Sequence, residues 1–195
     1  DAYLCGFYFV NGDMNHQLEA HHYAQRLNDD FQQAVIFDGN DEDAKLIGVE
    51  YVISERLFRT LPDDEQRLWH SHGFEVSSGA LIAPGLSAPA ERALMTDFAP
   101  TYGKTWHFWQ ADRGATLPVG APTLMMGFTA TGQLDPQLLQ DRDARFNVSS
   151  EATRRDRSTI ATQAPIGNAD AWQRGEVVQV QLTEPTAQPD GQQGK

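Results

Sequence analysis

The chain has 195 residues, 40% of them hydrophobic, and sets Lys+Arg 15 against Asp+Glu 27 for a formal charge of −12. That length builds one large core plus a tail and is short for two domains. The acidic balance, with lysines only at Lys45, Lys104 and Lys195, opposes nucleic acid and anionic membrane as partners, because cationic side chains carry phosphate binding. No apolar run approaches the roughly 20 residues that cross a bilayer, so no transmembrane segment is expected. Cys5 is the only cysteine, which leaves no disulfide framework or cysteine-rich metal cluster.

The chain opens at Asp1 in sequence that is already strand-like, which points to a removed export segment or, failing that, a trimmed cytoplasmic protein. "AYLCGFYFV" reads as a buried strand closed by the turn "NGD" at residues 11–13. Ala20, Tyr23, Ala24, Leu27 and Phe31 then follow helical spacing, which predicts one apolar helix face over about 19–33. "AVIFDGN" and "AKLIGVEYVIS" are strand candidates around an acidic turn. A helix pair follows, with Ser54 as N-cap of the first and Pro62 in the first turn of the second.

From His70 to Ile82 the pattern returns to strand character and ends in the loop "APGLSAPA". "ERALMTDFAPTYG" is a helix broken at Pro100, and "KTWHFWQA" and "PTLMMGFTA" are strands. "DPQLLQDRDARFNVSSEATRRDR" is a solvated helix interrupted near "NVSS". "GEVVQVQLTE" is a last period-2 strand. There is no internal repeat. The expectation is an α+β fold, a mainly antiparallel sheet with several helices in a single domain over 1–184, followed by a Gln/Gly/Pro-rich tail at 185–195. Such a tail needs a neighbour to hold it in order, so a homo-oligomer formed through the tail or an unpaired N-terminal strand is expected.

The chemistry-bearing residues are histidines. In "LWHSHGFEV", read as a strand, His70 and His72 share a face about 7 Å apart while Glu75 points away. His107 in "KTWHFW" and His21 or His22 in "EAHHY" are the next candidates. His21 and His22, adjacent on a helix, cannot both face one site. Three histidines, or two with a carboxylate from Glu19, Glu50 or Glu75, suit one transition-metal ion: zinc, copper or iron. Trp69, Trp106 and Trp109 would wall the site. The competing reading is that the histidines are hydrogen-bonded architecture in a non-enzymatic structural or interaction protein. No G-x-S-x-G or glycine-rich phosphate loop is present, and Cys5 in an apolar strand reads as a packing residue.

The blocks "EAHHY", "GVEYVISERLF", "LPDDEQRLWHSH", "TYGKTWHFWQ" and "PTLMMGFT", in that order from about Leu4 to Thr129, resemble the oil body-associated protein family of plant seeds. The chain would then be a bacterial or fungal-type relative. The resemblance implies that His21, His22, His70, His72 and His107 belong to a shared template, and for plant members it implies a lipid-droplet role. It departs from the family pattern at Ala24, where a cysteine is common, and at Gly73 and Phe74.

Overall fold

The computed structural model describes residues 2–183. The domain limit at 184 and the tail at 185–195 lie outside them. Strand β1 (Ala2–Val10) turns through Asn11 and Gly12 into the 16-residue β2 (Asp13–Asn28). Asn-Gly is a strong hairpin signal because the turn needs positive φ, and Gly12 has φ +93. Next come β3 (Phe31–Phe37) and β4 (Leu46–Ser54). Two short helices follow, α1 (Glu55–Phe58), capped by the Ser54 hydroxyl accepting from the Leu57 N–H at 3.2 Å, and α2 (Asp63–Gln66), with Pro62 at its N-cap.

The chain continues through β5 (His70–Ser71), α3 (Gly73–Ser78), α4 (Ala88–Phe98), β6 (Thr101–His107) and β7 (Thr123–Met126), then α5 (Pro136–Phe146) and α6 (Ser150–Asp156). Asn147 in the left-handed region ends α5 and the Ser149 side chain starts α6, so the break at "NVSS" falls where its cap residues place it.

Neighbouring strands pair antiparallel from β1 to β4, β4 crosses to β6, and β7 links β6 back to β1 at Phe9↔Met126. The expected α+β character and antiparallel sheet hold, in the more specific form of a closed six-stranded barrel with helices around it. β7 is too short to cover all of β6. Along the rest of that edge β5 pairs instead, His70↔Gly103, and Ile82 bridges to Cys5 on β1. The segment from His70 to Ile82 therefore plugs the gap between β1 and β6. Because β1 is bonded on both sides, the premise of an unpaired N-terminal strand does not hold for it.

Three expected elements are corrected. Residues 19–33 form no helix: they belong to β2, the Asp29–Asp30 turn and β3. Ala20 and Ala24 fit a period of 2 as well as one of 3.6, and the ladders to β1 and β3 decide between them. In β2, Leu18, Ala20 and His22 are buried while Tyr23 and Leu27 are 45% and 50% exposed. Strand character after His70 stops at Ser71. From His72 the chain coils into α3, closed by the left-handed Gly79 (φ +78), where any Cβ would strike the Ser150 carbonyl oxygen at 2.5 Å. Over its described residues, 175–183, "GEVVQVQLTE" joins no ladder. It docks through Gln179, whose amide bonds Leu124 N at 2.8 Å and the Asn11 carbonyl at 2.9 Å.

The barrel interior is filled at one end by Tyr8, Leu18, Ala20, Ile36, Ile47 and Met125. Leu4 and Val52 meet Val76, Met95 and Phe98 of α3 and α4 at the other. Outside, Phe7, Phe9, Leu124, Met126 and Phe128 pack beneath Leu138 and Leu139 of α5. Each such aromatic or aliphatic burial contributes about 1.5–3 kcal/mol. The site lies between the two interior ends.

Candidate metal centre

Alternation along β6 aims Thr101, Gly103, Thr105 and His107 inward, and alternation along β4 aims Glu50 at them, opposite Thr105. β5 lies against Gly103, so His70 enters from the plugging segment. Its position is fixed by Asp170, whose carboxylate accepts from Ser71 N at 3.1 Å and Ser71 Oγ at 2.7 Å. His72, at the start of α3, completes the group. Glu50 Oε1 lies 3.4 Å from His70 Nε2 and 3.3 Å from His72 Nε2. One ligand atom from each of the three lies within 4.8 Å of the others, and all three residues are buried.

Gly103 supplies the floor. A Cβ there would collide with Glu50 Oε1 and come within 2.7 Å of both His70 Nε2 and His72 Nε2. His22 approaches from β2, its Nε2 3.6 Å from Glu50 Oε2 and 2.9 Å from the Tyr8 hydroxyl.

Hydrogen bonding sets the His72 tautomer. The Thr101 hydroxyl donates to the Phe98 carbonyl at 2.7 Å, so its oxygen accepts from His72 Nδ1, also at 2.7 Å. Nε2 is then left with a lone pair aimed at Glu50. Both ring nitrogens of His70 lack a hydrogen-bond partner among the described residues.

Burial opposes charge on Glu50; hydrogen bonds donated by His70 and His72 act the other way and, where made, hold the carboxyl well below its ordinary value. Burial pushes three of the imidazoles toward neutrality, His72 down to about 4, His107 down to about 3, and His22 below its ordinary value. A carboxylate facing a lone pair repels it unless a proton or a cation lies between. Burial works against carrying that proton as an imidazolium on His72, and a cation between the groups meets the same need. A donor set of two imidazoles and one carboxylate is one that zinc and iron(II) accept.

Of the histidines singled out from sequence, the fold brings His70 and His72 together, sets His22 beside them, and leaves His107 beyond the Tyr8 ring, with centroids 6.0 Å apart. His21 points to the outer face, as the odd partner in a strand must. There its Nε2 meets Glu19 at 3.0 Å, its Nδ1 meets the Tyr3 hydroxyl at 2.6 Å, and the Cys5 thiol donates to the same Glu19 oxygen at 3.2 Å. Among the three candidate carboxylates, Glu50 joins the histidines and Glu19 lies outside the barrel.

Glu75 does not point away as a strand would require. In helix α3 its side chain turns into a cavity of about 10 Å³ shared with Glu50 and His72. Burial raises its carboxyl well above the ordinary value, reinforced by Glu50 and Asp170. The tryptophans do not wall the site. Trp106 follows strand parity outward and Trp69 packs with Ile53, Phe58 and Tyr102, while Trp109 joins the far end of the interior. Tyr8, Phe98, Leu4 and Leu81 are the walls. Thr101, Gly103 and Tyr8 went unrecognised, although period-2 alternation in "TYGKTWH" places the first two with His107.

Over residues 1–161 the chain matches the family model described as "Protein of unknown function (DUF1264)". It is 46% identical over 159 residues to oil body-associated protein 1B of Arabidopsis thaliana, covering 82% of this chain and 66% of that one. It is 47% identical over 159 residues to oil body-associated protein 1A of Zea mays, covering 82% and 67%. With oil body-associated protein 2C of Arabidopsis thaliana the identity is 42% over 177 residues, covering 89% and 75%. The chain thus spans about two thirds of the length of the first two relatives. These relatives are plant proteins and do not support a bacterial or fungal-type origin. No solved structure matches the chain. Among the described residues no helix is long and apolar enough to cross a membrane.

Proposed function

Because the chain belongs to the DUF1264 family, whose relatives named above are oil body-associated proteins, and because that membership assigns no chemistry, we propose a function from the barrel interior: the protein binds one divalent transition-metal ion. Glu50, His70 and His72 are the ligands, and His22 is the nearest further nitrogen. The observation that carries this reading is the convergence of one buried ligand atom each from Glu50, His70 and His72 over Gly103, with the far nitrogen of His72 held by Thr101. Three protein ligands from a carboxylate and two imidazoles suit zinc or iron(II) over copper. The ion would supply a Lewis acid or a redox centre, while the chain supplies its dry surroundings and ligand orientation.

The oil-body association in the relatives' names is compatible with a buried ion. In this chain its natural surface is the outer face of β2, β3 and β4, where Tyr23, Val35 and Tyr51 are exposed.

Elemental analysis of tag-free protein, purified without chelator, tests the reading. The expected result is close to one zinc or iron per chain, lost in the double variant His70→Gln and His72→Gln while the circular dichroism spectrum is kept. Absence of metal after reconstitution with zinc, iron(II) and copper would return these histidines to architecture.

A further inference from the structure

Beside the three ligand atoms lies the cavity of about 10 Å³, whose walls include Glu50, His72, Glu75, Gly6, Leu81 and Phe98 but not Gly103 or His70. It therefore flanks the point where the ligand atoms converge and does not coincide with it. Its volume is that of one water molecule, and a buried water persists only where polar groups hold it.

Glu75 is the polar group that needs such a partner. It is 5% exposed; its backbone carbonyl accepts from Leu81 N and Ser78 Oγ, whereas among the described residues its carboxyl finds no hydrogen-bond partner. An unpartnered buried carboxyl is destabilising, and the alternative of an apolar side chain was open to this position. Gly127 lets it approach. A Cβ there would sit 2.9 Å from Glu75 Oε1 and 3.0 Å from the His70 ring, so the carboxyl and a ligand imidazole share one glycine-floored recess.

We infer that Glu75 is a positioning residue that holds a water or hydroxide against the ion bound by Glu50, His70 and His72, keeping one exchangeable coordination position for a small oxygen ligand. This rests on the metal reading of the same site. It makes the centre an open one, of the kind found in metal sites that activate water or take up a small oxygen species, in contrast to a closed structural site whose positions are all filled by protein. Leu4, Leu81 and Phe98 around the cavity restrict that ligand to water-like size.

The test is 17O electron–nuclear double resonance on the Co(II)-loaded protein in 17O-enriched water, with cobalt content measured on the same samples. The full chain and the variant Glu75→Gln, which keeps a hydrogen-bonding group, are expected to show 17O coupled to cobalt. Glu75→Leu is expected to lose that signal at unchanged cobalt stoichiometry and to melt no lower than the parent, since leucine replaces an unpartnered carboxyl. Stoichiometric cobalt without 17O coupling in the parent, or equal coupling in Glu75→Leu, overturns the inference and leaves the metal site standing. Failure of the parent to bind cobalt removes both.

Discussion

At the scale of single residues the site depends on groups that are not ligands. Thr101 converts an ordinary buried imidazole into one with a defined lone pair, because its only hydroxyl proton is already given to the Phe98 carbonyl. Thr101→Val keeps the shape and removes that acceptor. Metal affinity is expected to fall about 10- to 100-fold, the usual effect of removing an orienting partner. Stability should fall by about 1–3 kcal/mol because two buried polar groups lose their partner. Competition with a chromogenic chelator and a urea melt measure the two effects. The histidines themselves were legible: His70 and His72 stand two apart beside aromatics. That their carboxylate is Glu50 was half legible, as a single acid within the apolar run "LIGVEYVIS". The choice among Glu19, Glu50 and Glu75 was not, since strand parity says which face a residue takes and not which strand lies across from it.

Among elements, the plugging segment is the one most exposed to failure, because β5 has two residues and α3 six. Two buried arginines hold it. Arg142 of α5 donates to the carbonyls of Gly79 at 3.0 Å and Ala80 at 2.7 Å and to Ser150 Oγ at 2.8 Å. Arg157 donates to the carbonyls of Val76 and Leu81, both at 2.8 Å. These carbonyls at the end of α3 have few other donors, so the guanidinium groups do the work of a cap. Arg142→Met is expected to lower stability by about 3–5 kcal/mol, the range for breaking a buried ionic network. Hydrogen exchange at Val76 and Gly79 should accelerate more than at the β2 and β3 ladder. Uniform acceleration across the barrel would show that α5 does not act locally. Both arginines lie in a stretch that reads as a solvated helix in sequence, since a charged residue signals burial only once its partners are known.

For the whole molecule, the buried neutral imidazoles link stability to pH. His72 and His107 are held at about 4 and about 3, below the ordinary 6.5. Between those values and 6.5 the unfolded chain binds more protons than the folded one, so folding stability rises with pH and is lost as pH falls below 6.5. The metal-free protein is expected to lose roughly 2–4 kcal/mol between pH 7 and pH 5 by linkage. Metal loading should raise the melting temperature at pH 7 and lose that effect on acidification, because protons compete for the same nitrogens. Thermal melts across pH, with and without zinc, measure both. A flat stability profile in the metal-free protein would mean that these rings are protonated in the fold.

The single cysteine by itself sets aside an intrachain disulfide framework and a cysteine-rich metal cluster in this sequence. Local chemistry determined the turn at residues 11–13, the Ser54 cap, the end of α5 and the histidine-bearing segments, because each of these depends on neighbours within a few residues. The family too is readable from the ordered blocks. Only the tertiary structure decided that residues 19–28 are strand, that His72 begins a helix, and that β4 crosses to β6 to close a barrel. Those outcomes depend on hydrogen-bond ladders between segments far apart in the chain, whose partners no local pattern names. The site is a product of that closure. Glu50, His70 and His72 meet because β4 and β5 flank Gly103 on opposite edges of one strand, and the absence of a side chain there leaves the space in which their ligand atoms converge.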